Sequence, residues 1–91
     1  MKKSRRLYLT GMVQGIMFRP YIKENADKLN VRGFVRNLED RRVEVFIEGN
    51  PDEVEKMIEI CKAGTKLAKI TNIEIKEEKF QGFKEFKIMN I

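Results

Sequence analysis

The chain has 91 residues, of which 42% are hydrophobic and 36% charged, and its net charge is +5 at pH 7. This length and composition predict one globular domain over residues 1–91 with a modest core. No apolar run approaches the roughly 18 residues that a membrane span needs, and the basic residues 1–6 are not followed by a signal-peptide core. We therefore expect a cytoplasmic protein without membrane association.

The inventory of side chains limits the chemistry. Histidine is absent, so the commonest general base and the commonest transition-metal ligand are both missing. Cys61 is the only cysteine, which excludes an internal disulfide. It lies on the apolar stripe of a predicted helix, where buried thiols are usually inert, so we expect it to line the core. Any reaction must use arginine, lysine, asparagine, carboxylates or backbone N–H groups.

Hydrophobic periodicity predicts the first half of the chain as strand, helix, strand and strand. The first strand covers 6–13 and the first helix 20–29, with the proline at the first helical position. The second and third strands cover 31–38 and 43–48. The charged turn between them is short, so they form an antiparallel hairpin.

The second half of the chain is predicted as a helix and two strands. The helix begins at Asn50, whose side chain we expect to cap it, and ends near Gly64. A fourth strand covers 70–77, with Ile73 and Ile75 facing inward. A short strand around 86–88 follows.

The predicted order is β-α-β-β-α-β plus a short extra C-terminal strand, which is typical of an α+β ferredoxin-like sandwich. Right-handed crossovers place the third strand between the first and the second. We therefore expect an antiparallel sheet with both helices on one face.

The loop between the first strand and the first helix has the features of an anion-binding site. A strand, a glycine-containing loop and a helix N-terminus bring backbone N–H groups together. Arg19 adds a guanidinium that can bind phosphate or carboxylate oxygens. Because Pro20 follows, we expect the backbone of Arg19 to be extended and outside the helix. A tight strand–helix turn with a surface arginine is the alternative that these residues leave open.

Asn37 ends the second strand, which runs in the same direction as the first. The ends of the two strands therefore lie at one edge of the sheet, roughly 9–10 Å apart with one strand between them. Arg19 is long enough for both side chains to face one anion. A neutral amide both donates and accepts, so Asn37 could orient a water molecule. A simple turn residue is the alternative.

Two linked motifs resemble the acylphosphatase family. The first contains Gly11, Val13, Gln14, Gly15, Phe18 and Arg19, and the second contains Gly33, Phe34, Val35 and Asn37. The resemblance extends over the whole chain in length and in element order. It implies hydrolysis of acyl phosphates, the mixed anhydrides of a carboxylic acid and phosphate.

The resemblance also implies a role for each residue of the site. The catalytic residues are Arg19 and Asn37, with Asn37 orienting the attacking water. The phosphoryl oxygens are held by the Arg19 guanidinium and by the backbone N–H groups of Gln14, Gly15, Ile16, Met17 and Phe18. Because a carboxylate leaves readily, positioning and charge stabilisation suffice. The implied partner is a small-molecule acyl phosphate, with no metal, no cofactor and no covalent intermediate, and we expect a monomer.

Some positions depart from the family pattern. Arg41 stands where the family's hairpin turn usually has glycine, which predicts a different turn. Residues 65–67 replace a proline-containing segment. Residues 18–21 resemble the acylphosphatase-like domain of hydrogenase-maturation carbamoyltransferases, which handles carbamoyl phosphate.

Three other functions are compatible with the sequence. The domain could bind an anion without turning it over, or it could act on a protein-bound acyl phosphate. RNA-recognition motifs share this order of elements, and the chain is basic. However, Glu44 and Glu48 are predicted on the open face of the sheet, where carboxylates repel phosphate. We therefore do not expect nucleic acid as a partner.

Overall fold

The computed structural model describes residues 1–90 and contains two helices and a five-stranded sheet in the predicted order: β1 (Lys3–Met12), α1 (Phe18–Lys28), β2 (Arg32–Asn37), β3 (Val43–Gly49), α2 (Pro51–Ala63), β4 (Lys69–Glu77) and β5 (Phe86–Met89). The strand order is β4-β1-β3-β2-β5, so β3 lies between β1 and β2 as predicted. These four strands pair antiparallel, whereas β5 pairs parallel with β2. The α+β ferredoxin-like class is confirmed, and the added strand makes the sheet mixed.

The main core lies between the sheet and the two helices, which pack against each other and against the strands. The apolar stripe of α2 is buried as its spacing predicts, and Cys61 on that stripe is fully buried. Burial raises the pKa of the Cys61 thiol to about 12. The thiol therefore stays protonated near neutral pH, as a residue that lines the core should.

The opposite face of the sheet is covered where Glu48 lies, so the expected position of Glu48 on an exposed face is wrong. Glu48 is 1% exposed. Its carboxylate accepts hydrogen bonds from the backbone N–H groups of Gln81 (2.8 Å) and Phe83 (2.7 Å). The Phe83 ring also lies 5.4 Å from that of Phe46, measured between centroids. The segment between β4 and β5 thus covers the part of this face that contains Glu48 and Phe46.

Glu44 on the same face is also buried and is neutralised by two arginines. Its carboxylate accepts hydrogen bonds from Arg6 and Arg36. Burial opposes the charge of Arg6, but its hydrogen bonds with Glu78 and Glu44 outweigh that effect and raise the pKa of the guanidinium. The sequence suggested that exposed carboxylates on this face would repel phosphate. In the structure these carboxylates are buried and hydrogen-bonded instead.

Two local predictions are wrong. Asn50 precedes α2, but its side chain makes no capping bond and instead accepts a hydrogen bond from Lys2 Nζ at 3.0 Å. Ile75 is 39% exposed, because β4 is an edge strand at the margin of the core. Within residues 1–90, no helix combines the length and the apolar character needed to span a membrane.

Candidate active site

The first helix begins earlier than predicted, at Phe18, so Arg19 lies in its first turn. The expectation that the Arg19 backbone is extended and outside the helix is therefore wrong. The restriction imposed by a following proline is a preference, and the first N–H groups of a helix need no helical acceptor. Pro20 thus sits in the first turn without losing a hydrogen bond, and the buried ring of Phe18, 1% exposed, anchors the helix start.

The backbone before this helix forms a concave row of N–H groups. Gly15 (φ 73°) and Met17 (φ 63°) are left-handed, and Ile16 between them is not. Such alternation turns successive N–H groups toward one point, where an anion can bind. Within residues 1–90, the N–H groups from Gly15 to Arg19 donate to no backbone acceptor. Those of Phe18 and Arg19 also lie at the positive end of the helix dipole.

The side chain of Gln14 fastens this loop to the turn between β2 and β3. Its Nε2 donates to the carbonyl oxygens of Leu38 (2.9 Å) and Arg42 (3.0 Å). The resemblance assigned only a backbone contact to Gln14, so its side chain contributes something that was not predicted. It fixes the loop relative to the end of β2, where Asn37 lies.

Arg19 is held by the residues that follow β5. Its Nη1 donates to the carbonyl oxygen of Met89 (3.3 Å) and to Oδ1 of Asn90 (3.1 Å). Both acceptors are neutral, and no carboxylate of residues 1–90 forms an ion pair with Arg19. The positive charge therefore remains available to an anion. The contribution of Met89 and Asn90 was missed because the parallel pairing of β5 with β2 was not predicted.

Asn37 is the last residue of β2, and its Oδ1 is buried without a hydrogen-bond partner among residues 1–90. An unsatisfied buried acceptor is uncommon in proteins and costs about 1–3 kcal/mol. Asn37 and Arg19 line one cavity of about 210 Å³ together with Gly15 and Met17. They also line an adjoining cavity of about 250 Å³ toward Met89. The two predicted catalytic side chains are thus brought to one site.

Arg41 in the β2–β3 turn takes the backbone conformation that glycine favours, with φ 75°. That arginine at this position makes the turn differ from the family's stays a prediction; the residue itself accepts the left-handed conformation. The turn is closed by a hydrogen bond from the Arg41 N–H to the Leu38 carbonyl at 3.2 Å. Next to it, the backbone N–H and the guanidinium of Arg42 both donate to Asp40, and they lower the pKa of that carboxyl group.

The site therefore combines a row of N–H donors, one uncompensated guanidinium and one unsatisfied amide oxygen. These groups suit a tetrahedral oxyanion beside a water molecule. Within the described part of the chain, no three His, Cys, Asp or Glu side chains are grouped so that they could hold a metal ion. The catalytic and phosphate-binding roles of the individual residues stay predictions.

Fold and loop together define an α+β ferredoxin-like protein whose first strand, loop and first helix leave a run of backbone N–H groups without backbone acceptors among residues 1–90. The family model for acylphosphatase matches residues 5–88. The chain belongs to the acylphosphatase family, and the resemblance found in its motifs is confirmed.

Individual relatives agree with this assignment. An acylphosphatase from Syntrophobacter fumaroxidans is 41% identical over 88 residues, which cover 96% of this chain and 91% of the relative. The crystal structure of acylphosphatase from Bacillus subtilis is similar with a TM-score of 0.92 and 33% identity, covering 98% of this chain and 99% of that one. HypF from T. kodakarensis is similar with a TM-score of 0.85 and 36% identity, covering all of this chain and 12% of that one.

Proposed function

We propose that this protein hydrolyses acyl phosphates to a carboxylate and inorganic phosphate. The observation that carries the proposal is the unsatisfied, buried Oδ1 of Asn37 on the cavity that Arg19 also lines. A water molecule that donates one hydrogen to this oxygen would have its own lone pair directed into the cavity. Membership of the acylphosphatase family supports the reaction class.

The phosphoryl group would be bound by the concave row of N–H groups and by Arg19. The N–H groups of Gln14 to Phe18 would face its non-bridging oxygens, as the family resemblance implies. Arg19 uses Nη1 for its two neutral acceptors, which leaves its other N–H groups for the phosphoryl oxygens. Donors fixed in advance stabilise the charge that develops on these oxygens in the transition state.

In the chemical step, the water oxygen directed by Asn37 forms a bond with phosphorus. The bond between phosphorus and the acyl oxygen breaks, and its electron pair leaves with the carboxylate. The proton lost by the water goes to a phosphoryl oxygen, so the products are carboxylate and dihydrogen phosphate. A carboxylate is a good leaving group, so positioning and charge stabilisation suffice and the step needs no protein acid.

The test is release of phosphate from benzoyl phosphate by the wild type, with and without a chelator. We expect activity in both conditions, because no step is assigned to a metal. Arg19→Ala should lower kcat/KM by at least ~100-fold, since it removes an oriented charge. Arg32→Ala is the matched control, because Arg32 is an exposed arginine at the opposite end of β2, and it should keep wild-type activity.

Two results would contradict the proposal. If Arg19→Ala and the wild type release phosphate at equal rates, Arg19 does not participate in hydrolysis. If the folded wild type binds inorganic phosphate but hydrolyses no acyl phosphate, the protein is an anion-binding module of the same fold instead.

A further inference from the structure

A second cavity lies on the other side of the loop from Arg19 and Asn37. Its volume is about 230 Å³, and we call it the Arg41 cavity after the cation that lines it with Gly11, Met12, Val13, Gln14 and Ile16. The loop residues alternate between the two sides. Gln14 and Ile16 line the Arg41 cavity, Gly15 and Met17 line the cavity of Arg19, and Val13 at the start of the loop lines both. The two cavities are therefore separated by the backbone of this loop.

Gly15 adds no side chain to the loop that separates the two cavities. A Cβ built on Gly15 would meet no heavy atom of residues 1–90 within 4 Å, its two chain neighbours aside, so the space at that position is open. Since glycine has no side chain, only the backbone of residue 15 lies between the two cavities. A ligand with its phosphate on the loop N–H groups would cross above the Gly15 backbone to reach the Arg41 cavity.

The Arg41 cavity has an apolar wall and one guanidinium that forms no ion pair among residues 1–90. Met12 is 64% exposed, and methionine is a flexible, polarisable side chain that adapts to different apolar groups. Arg41 forms no ion pair with any carboxylate of residues 1–90. The nearby carboxylate of Asp40 is engaged by Arg42 at 2.8 Å, and the Arg42 guanidinium lies 4.8 Å from the Tyr8 ring.

The backbone of Arg41 is an independent observation. Its left-handed conformation is strained for any residue with a Cβ. Such strain concentrates where a side chain serves a ligand. The volume of the cavity also fits an aromatic acyl group, because an apolar protein cavity of about 150 Å³ binds benzene.

We propose that the Arg41 cavity binds the acyl side of the substrate, and that Arg41 selects acyl groups that carry a second anionic group. This inference rests on the proposed function. The phosphate lies on the loop, the apolar part passes Met12 and Ile16, and a distal carboxylate or phosphate binds the Arg41 guanidinium. Arg41 is thus a specificity-determining residue that does not touch the reacting phosphorus.

The test compares three rigid substrates that differ only at the far end of the acyl group. They are benzoyl phosphate, para-carboxybenzoyl phosphate and the neutral para-carbamoylbenzoyl phosphate. For the wild type, we expect kcat/KM to be about 5- to 10-fold higher for the carboxyl than for the carbamoyl substrate. Arg41→Gln should bring this ratio close to one. Raising the salt to about 0.5 M should reduce the wild-type ratio by screening.

Two further variants complete the design. Arg32→Gln removes the same charge from the opposite end of β2 and should leave the ratio at the wild-type value. Arg41→Gly removes the side chain and relieves the left-handed strain, so it serves if Arg41→Gln does not fold. A para-phosphonobenzoyl phosphate distinguishes a phosphate-like distal group from a carboxylate.

Each outcome decides the inference. A wild-type ratio retained in both Arg41 variants, with benzoyl phosphate still hydrolysed, overturns the role of Arg41 and leaves the proposed function intact. Loss of benzoyl phosphate hydrolysis in a folded Arg41 variant also overturns it, because Arg41 would then act on the phosphate. Absence of hydrolysis of every acyl phosphate by the wild type refutes the proposed function and, with it, this inference.

Discussion

Replacing Asn37 with alanine should separate activity from stability. Most buried polar side chains stabilise a fold through hydrogen bonds, and their removal destabilises it. Asn37 differs, because its buried Oδ1 has no partner among residues 1–90. The substitution therefore removes an acceptor that makes no hydrogen bond within this part of the chain, and the fold should tolerate it.

The two magnitudes follow from this arrangement. Loss of one oriented polar group at a transition state lowers kcat by about 100- to 1000-fold, or about 2.7–4 kcal/mol. A buried unsatisfied acceptor costs about 1–3 kcal/mol, so its removal offsets the loss of side-chain packing. We expect the free energy of unfolding of Asn37→Ala to lie within about 1 kcal/mol of the wild-type value. That corresponds to a shift in Tm of no more than about 4–8 °C.

The assay measures kcat with benzoyl phosphate and the free energy of unfolding by urea denaturation on the same preparations. Asn72→Ala, which removes an exposed asparagine amide from β4, is the control and should change neither quantity. Asn37→Asp keeps the shape of the side chain but adds a negative charge beside the proposed phosphate, so its kcat should also be low. The reasoning is refuted if Asn37→Ala retains wild-type kcat, or if its activity falls only as far as its unfolded fraction rises.

Three further predictions concern the loop, the core and the glycines. Gln14→Ala removes two hydrogen bonds to the hairpin turn and should lower the free energy of unfolding by about 1–2 kcal/mol. It should also raise the inhibition constant of inorganic phosphate. Cys61 should not react with Ellman's reagent in the native protein at mildly alkaline pH, because burial raises its pKa to about 12, but it should react in urea. Gly33→Ala places a Cβ 1.8 Å from the Phe46 carbonyl oxygen and should destabilise the fold by about 3 kcal/mol or more, whereas Gly15→Ala meets no atom and should cost about 1 kcal/mol.

Each of these predictions would be contradicted by a specific result. Unchanged phosphate inhibition in Gln14→Ala would mean that the tie to the hairpin turn does not position the loop. Rapid modification of Cys61 in the folded protein would show that the thiol is accessible. Burial of the Cys61 thiol also determines how stability depends on pH. Because folding raises the pKa of this thiol, the free energy of unfolding should decline as pH rises above the ordinary thiol pKa of about 9. Equal destabilisation by the two glycine variants would contradict the close approach at Gly33.

The sequence predicted the fold well because its signals are local and repeated. Alternation along β3 and the apolar stripe of α2 each determine one element, and the handedness of crossovers then places β3 between β1 and β2. That placement brings Arg19 and Asn37 to the same edge of the sheet.

The remaining features depend on long-range contacts that no local pattern carries. Arg19 is bound by Met89 and Asn90 only because β5 adds to the sheet parallel to β2. Glu48 is buried only because the segment before β5 returns across the second face of the sheet. Arg41 was recognised as a departure from the family pattern, but its position on a cavity beside the loop required the folded structure. The roles of the site residues, the single domain, the monomeric state and the cytoplasmic location stay predictions.

The most direct test of the central claim is to follow the oxygen atom of the attacking water. Benzoyl phosphate is hydrolysed by the wild type in oxygen-18 water, and both products are analysed by mass spectrometry after correction for the reaction without enzyme. Attack on phosphorus by a water that Asn37 orients predicts one heavy oxygen in the phosphate and none in the benzoate. Heavy oxygen in the benzoate would place the attack on the acyl carbon and contradict the account.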